Sequence, residues 1–155
     1  DTDRSRGSEM CIRDRKQAGI TVLEDQSSLV TFKGGRQLQL SGILDTTRNV
    51  RKRLPKRQSP DIPHFLLSHR PEFFELYAAQ GFDLSLCGHA HGGQFRIPGI
   101  LNGLYAPNQG FFPKYAGGEY HKKRTVMIVS RGLARESTRV PRFYNRPELV
   151  IIDIV

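Results

Sequence analysis

The chain has 155 residues, enough for one domain with a real core. Its 37% hydrophobic and 25% charged content is that of a globular domain, and no apolar run approaches the roughly 18 residues that a membrane-spanning helix needs. Two cysteines, Cys11 and Cys87, are too few for a disulfide framework, and a net charge of +9 directs attention to anionic partners.

Residues 1–15 stand apart. The string Ser8-Glu9-Met10-Cys11-Ile12-Arg13-Asp14-Arg15 has neither an apolar period nor turn logic. It reads like a translated sequencing adapter, foreign to a domain that occupies residues 16–155. A natural disordered tail is the alternative. From Gly19 the pattern changes. Ile20 to Leu23 and Ser28 to Phe32 read as short strands, and Lys33-Gly34-Gly35-Arg36 as a hairpin turn. Gln37 to Leu44 reads as a third strand that runs into the core and is ended by Asp45. Thr46 to Asp61 is basic and reads as a surface excursion with one helical turn.

Next comes a clear pattern. Phe65-Leu66-Leu67-Ser68 is an apolar strand followed by His69-Arg70-Pro71. Glu72 to Gln80 reads as a helix, with Pro71 suited to its first position, Phe73, Phe74, Leu76 and Tyr77 as its apolar face, and Gly81 as its stop. Phe82 to Cys87 is a second buried strand. Strand, helix, strand of this length is a βαβ unit, so the two strands are parallel and end at one edge of the sheet. Ligands of open α/β sheets sit beyond that edge.

Gly88-His89-Ala90-His91-Gly92-Gly93 follows the second strand. In extended backbone, residues two apart point the same way, so His89 and His91 are expected to aim two imidazoles into one space beside His69. Neutral imidazole is the commonest metal ligand. Histidines bonded to loop carbonyls are the plain alternative. His64 lies at the start of its strand, away from the carboxyl end, and reads as structural.

Gly92 to Gly110 is a long irregular loop, of the kind that often serves a site. Gln94 and Asn108 are candidates to bond a phosphoryl oxygen or leaving group, or else to brace the loop. Phe95, Leu101, Leu104, Tyr105, Phe111 and Phe112 make it apolar, which suits an acyl chain, a lipid surface or simply a covered core. Tyr115 to Tyr120 and Thr125 to Ser130 read as a hairpin. Arg131, at a strand end, suits either a phosphate or a salt bridge to Glu119 or Glu148. Leu149 to Val155 reads as a last strand.

Ser68-His69-x-Pro71 and Gly88-His89-x-His91-Gly92-Gly93-Gln94 together resemble the C-terminal motifs of calcineurin-like metallophosphoesterases, in the bacterial branch of membrane-associated or exported phosphodiesterases. Ala106-Pro107-Asn108-Gln109-Gly110, Pro113-Lys114-Tyr115, Ser130-Arg131-Gly132-Leu133 and Arg146-Pro147-Glu148-Leu149 continue the likeness. The resemblance implies an α/β fold, the strand-rich C-terminal half of an α/β/β/α sandwich. It also implies a two-metal hydrolase, with His69 and His89 on one divalent ion and His91 on the other, the metal being Mn, Fe or Zn. The substrate implied is a phosphodiester or phosphomonoester, and a lipid-linked one suits the apolar loop.

The family's Asp-x-His, Gly-Asp-x-x-Asp and Gly-Asn-His motifs are absent from this sequence, including the bridging aspartate and the histidine that assists the leaving group. The chain by itself is therefore expected to show little or no catalysis. A different class of reading remains open. Arg48, Arg51, Lys52, Arg53, Lys56 and Arg57, with Lys122, Lys123 and Arg124, suit a basic, non-catalytic module that binds anionic membrane or, less well, nucleic acid. A single structural Zn site from the three histidines with Cys87 ranks last, because such sites favour four closed ligands rich in Cys. The location is membrane-associated or exported by resemblance, and otherwise cytoplasmic.

Overall fold

The computed structural model describes residues 12–45, 49–133 and 141–154. The hairpin turn at Gly34-Gly35 joins β1 (Gln26–Thr31) to β2 (Gln37–Gly42), which run antiparallel with Thr31 opposite Gln37. β2 then lies parallel to β3 (His64–Ser68), and β3 lies parallel to β4 (Leu84–Cys87). β4 lies parallel to β8 (Thr125–Val129), and β7 (Gly118–Lys122) pairs antiparallel with β8. The sheet order is β1-β2-β3-β4-β8-β7, so the fold is α/β with a mostly parallel six-stranded sheet. A separate two-stranded ribbon, β5 (Tyr105–Ala106) with β6 (Gly110–Phe111), sits inside the long loop.

Two short helices complete the frame. The single turn expected in the basic segment is α1 (Val50–Arg53), anchored by buried Val50 and Leu54 while Arg51, Lys52 and Arg53 stay exposed. Arg48 lies outside the described residues, as do Cys11 and most of the adapter-like tail; a helical turn over residues 12–17 spans the end of that tail and the start of the domain. The helix expected over Glu72–Gln80 begins as a tighter turn, Pro71–Phe73, and continues as α2 (Phe74–Gln80). Gly81 at φ 79 ends it, in the left-handed conformation that only glycine adopts cheaply.

The two faces of the sheet differ. Leu66, Cys87, Met127 and Val129 form one core with Phe74 and Tyr77 of α2, and all are buried. Gln39, Ser41, His64 and Ser85 share that face and are also buried. Part of that polarity is matched locally: Ser41 Oγ lies 2.7 Å from His64 Nε2, and Gln39 Nε2 donates to Lys56 O at 2.8 Å, while Ser85 Oγ and His64 Nδ1 have no partner among the described residues. The opposite face carries Leu38 and Leu84, which are buried, and Leu40, Phe65, Leu67, Leu86, Val126 and Ile128, which are not, Leu67 being 38% exposed. An open trough of about 620 Å³ runs along it, past Leu40, Leu67 and Leu86 to His69.

Two expected strands are not strands. Ile20 to Leu23 forms no ladder, although Leu23 packs so closely on Gly42 that a Cβ there would stand 2.5 Å from the Leu23 Cβ. Residues 149–154 are likewise unpaired, with Leu149 73% and Ile151 80% exposed. Apolar, β-branched residues favour a strand only where a neighbouring edge and a covered face receive them. Among the described residues neither segment pairs with the outer edge of β1 or of β7, the two margins of the sheet.

Candidate metal centre

In β3 and β4, Ser68 stands opposite Cys87, so both chains leave the sheet at the same edge. The turn after β3 is fixed from behind. Ser68 Oγ lies 2.8 Å from the Tyr77 hydroxyl and accepts the Arg70 N–H at 3.2 Å, while the Tyr77 hydroxyl donates to Arg70 O at 2.7 Å. His69, between these anchors, is exposed.

The His-x-His segment is not extended backbone. His89 has φ 66, Ala90 is right-handed, His91 has φ 47, and Gln94 has φ 59. The two-residue alternation therefore does not govern where the imidazoles point. Short hydrogen bonds wind the loop instead: Ala90 N–H to Gly88 O at 2.8 Å and Gly93 N–H to Ala90 O at 2.7 Å. Each non-glycine residue held left-handed costs roughly 1–2 kcal/mol. Such strain persists only where surrounding contacts over-determine it.

The winding brings His89 Nδ1 to 2.8 Å from His69 Nε2, with ring centroids 4.5 Å apart. Asn108, in the turn of the β5–β6 ribbon, places its Nδ2 3.0 Å from His89 Nε2. Carboxamide nitrogen only donates, so Nε2 accepts and the neutral His89 ring carries its proton on Nδ1, which donates to His69. His91 joins the group electrostatically. Burial holds its imidazole below the usual range, and the neighbouring Arg142, His89 and His69 push the same way. Burial also lowers His89, as do His69 and Arg70, against the opposite pull of Asp45 and Glu72. Neutral imidazole is the form that binds metal.

The chemistry of the donors fits an ion at the His69–His89 pair. Two nitrogens sharing one tetrahedral ion stand about 3.3 Å apart, so an ion enters by a small opening of the pair, with the His89 proton moved from Nδ1 to Nε2 and the Asn108 carboxamide turned to accept it. Among the described residues no three His, Cys, Asp or Glu side chains are gathered to hold one ion. The donors thus form an open pair rather than a closed structural site. Cys87 faces the core, and burial pushes its thiol up, with a smaller push from Glu72.

The remaining candidates are placed differently. Gln94 is buried, and its Oε1 has no partner among the described residues. Arg131 forms a bidentate pair with Glu148, Nε to Oε2 at 2.9 Å and Nη2 to Oε1 at 3.0 Å. The Arg131 guanidinium holds the Glu148 carboxyl below its usual range. Two residues that the sequence did not single out, Arg142 and Asn145, lie against the histidine loop. Asn145 donates from Nδ2 to His91 O at 2.6 Å. In sequence it is one asparagine before Arg146-Pro147, which reads only as a turn residue.

Comparison with known proteins adds two relatives. The chain is 31% identical over 140 residues to phosphodiesterase YaeI of Escherichia coli, across 90% of this chain and 49% of that protein. It is 32% identical over 139 residues to an uncharacterized metallophosphoesterase, YkuE, of Bacillus subtilis, across 88% of this chain and 47% of that protein. The chain spans about half the length of the curated relatives it matches. No protein-family model and no solved structure matches it.

Proposed function

We propose that this chain is the histidine-bearing C-terminal part of a metallophosphoesterase, a metal-dependent hydrolase of phosphodiesters or phosphomonoesters. The observation that carries the reading is the 2.8 Å His69–His89 pair at the ends of two parallel strands. The names of both relatives support phosphoester chemistry. In this reading His69 and His89 hold one divalent ion and His91 a second, with Mn, Fe and Zn all suited to imidazole. When bound, such ions polarise a phosphoryl oxygen and activate water as the nucleophile.

The chain's own residues prepare that chemistry. Asn108 bonds His89 Nε2 and orients the ring, its carboxamide oxygen being the group that would accept the Nε2 proton when Nδ1 takes the ion, and the left-handed loop holds His91 beside the pair. Phe111 and Phe112, 72% and 69% exposed, flank the Asn108 turn. They favour a phosphoester bearing an apolar or lipid-linked group, met at an anionic membrane surface by a membrane-associated or exported protein. The open apolar sheet face supports the further reading that more of the domain packs there, and that this chain by itself turns over little or no substrate.

A second reading, a basic binding module without chemistry, is favoured by one observation: α1 turns Val50 into the core and leaves Arg51, Lys52 and Arg53 outside. Calorimetric titration with Mn²⁺ and an assay with an activated aryl phosphodiester separate the two. The hydrolase reading expects Mn²⁺ binding that is lost in His69→Ala and His89→Ala, and little turnover. Binding indifferent to both substitutions sinks it. Turnover abolished by His89→Ala keeps the hydrolase and removes the claim of incompleteness. Salt-sensitive binding to anionic vesicles or nucleic acid, lost on replacing Arg51, Lys52 and Arg53 by Gln and indifferent to His89, favours the binding module.

A further inference from the structure

The loop after β4 is held from outside by a strap, residues 142–148. Both ends of the strap are tied to the turn after β8, the neighbouring parallel strand. Arg142 Nη2 donates to Arg131 O at 2.8 Å, the Glu148 N–H donates to Gly132 O at 3.1 Å, and the Glu148 carboxylate takes the Arg131 fork. The middle of the strap meets the histidine loop. The Phe143 N–H donates to Gln94 O and the Arg96 N–H to Phe143 O, each at 3.0 Å, and the Phe95 and Phe143 rings stack at 5.7 Å.

Asn145 lies between these anchors and is 2% exposed. Its Nδ2 donates to two carbonyls of the left-handed turn, His91 O at 2.6 Å and Gln94 O at 3.3 Å. Its Oδ1 sits so close over Gly92 that a Cβ there would fall 2.2 Å away. The turn needs such support because His91 at φ 47 and Gln94 at φ 59 are both unfavourable for L-residues.

We infer that Asn145 is a positioning residue for His91: its carboxamide bonds the His91 and Gln94 carbonyls and sets the turn that presents the His91 imidazole. The consequence for metal binding rests on the reading of His91 as a ligand. The role is specific to one ligand. His69 is held through Ser68 and Tyr77, and His89 by Asn108, with no contribution from Asn145. It is also specific to the amide. An aspartate of the same shape cannot donate, and its charge would face two carbonyl oxygens.

Histidine-ring NMR of the whole chain, with His64 and His121 as internal references, tests this during titration with diamagnetic Zn²⁺. In Asn145→Asp, the His91 ring resonances should shift before any metal is added. The Zn²⁺-induced shift of His91 should then need roughly tenfold more ion or above, with His69 and His89 responding as in the unaltered chain. Three histidines that respond as in the unaltered chain, or that all weaken in parallel, overturn the inference. If Asn145→Asp does not fold, Asn145→Ser decides: it should displace the His91 resonances alone, and an undisplaced His91 overturns the inference. Should the unaltered chain show no response to Zn²⁺, the metal reading fails, and the metal-free His91 shift still decides the role of Asn145.

Discussion

His89 Nδ1 lies 2.8 Å from His69 Nε2, across 20 residues of chain. The two rings meet because β3 and β4 are parallel neighbours with Ser68 opposite Cys87. The first prediction concerns this pair. A ligand that binds only the folded chain stabilises it by about 2.7 kcal/mol at a hundred times its dissociation constant. Zn²⁺ at that level should raise the melting temperature. His69→Ala or His89→Ala should abolish the rise, and His91→Ala should keep most of it. Thermal melts with and without the ion decide, and equal loss in all three variants contradicts the pairing.

Asn108 should control the tautomer of His89. With Asn108 Nδ2 donating to Nε2, the ring proton belongs on Nδ1. Asn108→Ala should move that proton toward Nε2, visible in long-range ¹H–¹⁵N spectra. The stability cost should be about 1 kcal/mol or less, the net worth of one partly exposed hydrogen bond. An unchanged tautomer refutes the assignment.

His64 should make the fold acid-sensitive. Its pKa is lowered from 6.5 to about 4, by burial first and by nearby Arg57 second, with Asp83 opposing. Above pH 6.5 both folded and unfolded chains carry a neutral ring, and stability is complete. As the pH falls toward 4, the unfolded chain takes up a proton that the folded chain refuses. Stability should drop by on the order of 3 kcal/mol across that window. Urea melts at pH 7, 5 and 4 measure it, and His64→Gln should flatten the dependence. A slope unchanged in that variant would assign the effect to other groups.

Leu66 and Leu67 are adjacent and should behave oppositely. Leu66 is 0% exposed among the α2 side chains, whereas Leu67 is 38% exposed on the open face. Leu66→Ala should cost about 2–5 kcal/mol, the usual range for a core leucine. Leu67→Ser should cost little and should reduce aggregation of the chain, because the trough past Leu40, Leu67 and Leu86 lies open. A large loss for Leu67→Ser in this chain would show that its face is packed in solution.

Asp83 takes two arginines of unequal value. Arg57 Nη2 reaches it at 2.5 Å with side-chain exposures of 18% and 25%, and Arg57 also donates to Ile62 O and Gly81 O. Arg124 reaches it at 2.8 Å but is 68% exposed. Arg57→Ala should destabilise by about 2 kcal/mol, since two backbone carbonyls and a half-covered carboxylate lose their donor. Arg124→Ala should cost less than about 1 kcal/mol. Chemical denaturation ranks them, and equal costs would contradict the geometry.

Much of the fold was legible because local signals agreed with the tertiary answer. The apolar runs of β3 and β4, Pro71, the Phe74–Tyr77 face and Gly81 all point to one strand–helix–strand unit. Leu149 to Ile154 carries as strong a strand pattern and forms no strand, because strand preference is expressed only through pairing and packing with a neighbour, and this segment pairs with none among the described residues. The β5–β6 ribbon was illegible for the opposite reason. Two residues on each side are too few to show an alternation.

By itself the sequence determined the parallel unit and the two chain positions where histidines leave it, because apolar period, proline and glycine act over a few residues. The tertiary structure alone decided how those histidines meet. It put His89 and His91 at positive φ, against the extended geometry that their spacing suggests. It gave Asn108 to His89, committed Arg131 to Glu148, and set Asn145 on the His91 carbonyl. Each of those contacts joins segments remote in the chain. Only the folded sheet brings them within hydrogen-bonding reach, and their combined contacts offset the local cost of the left-handed turn.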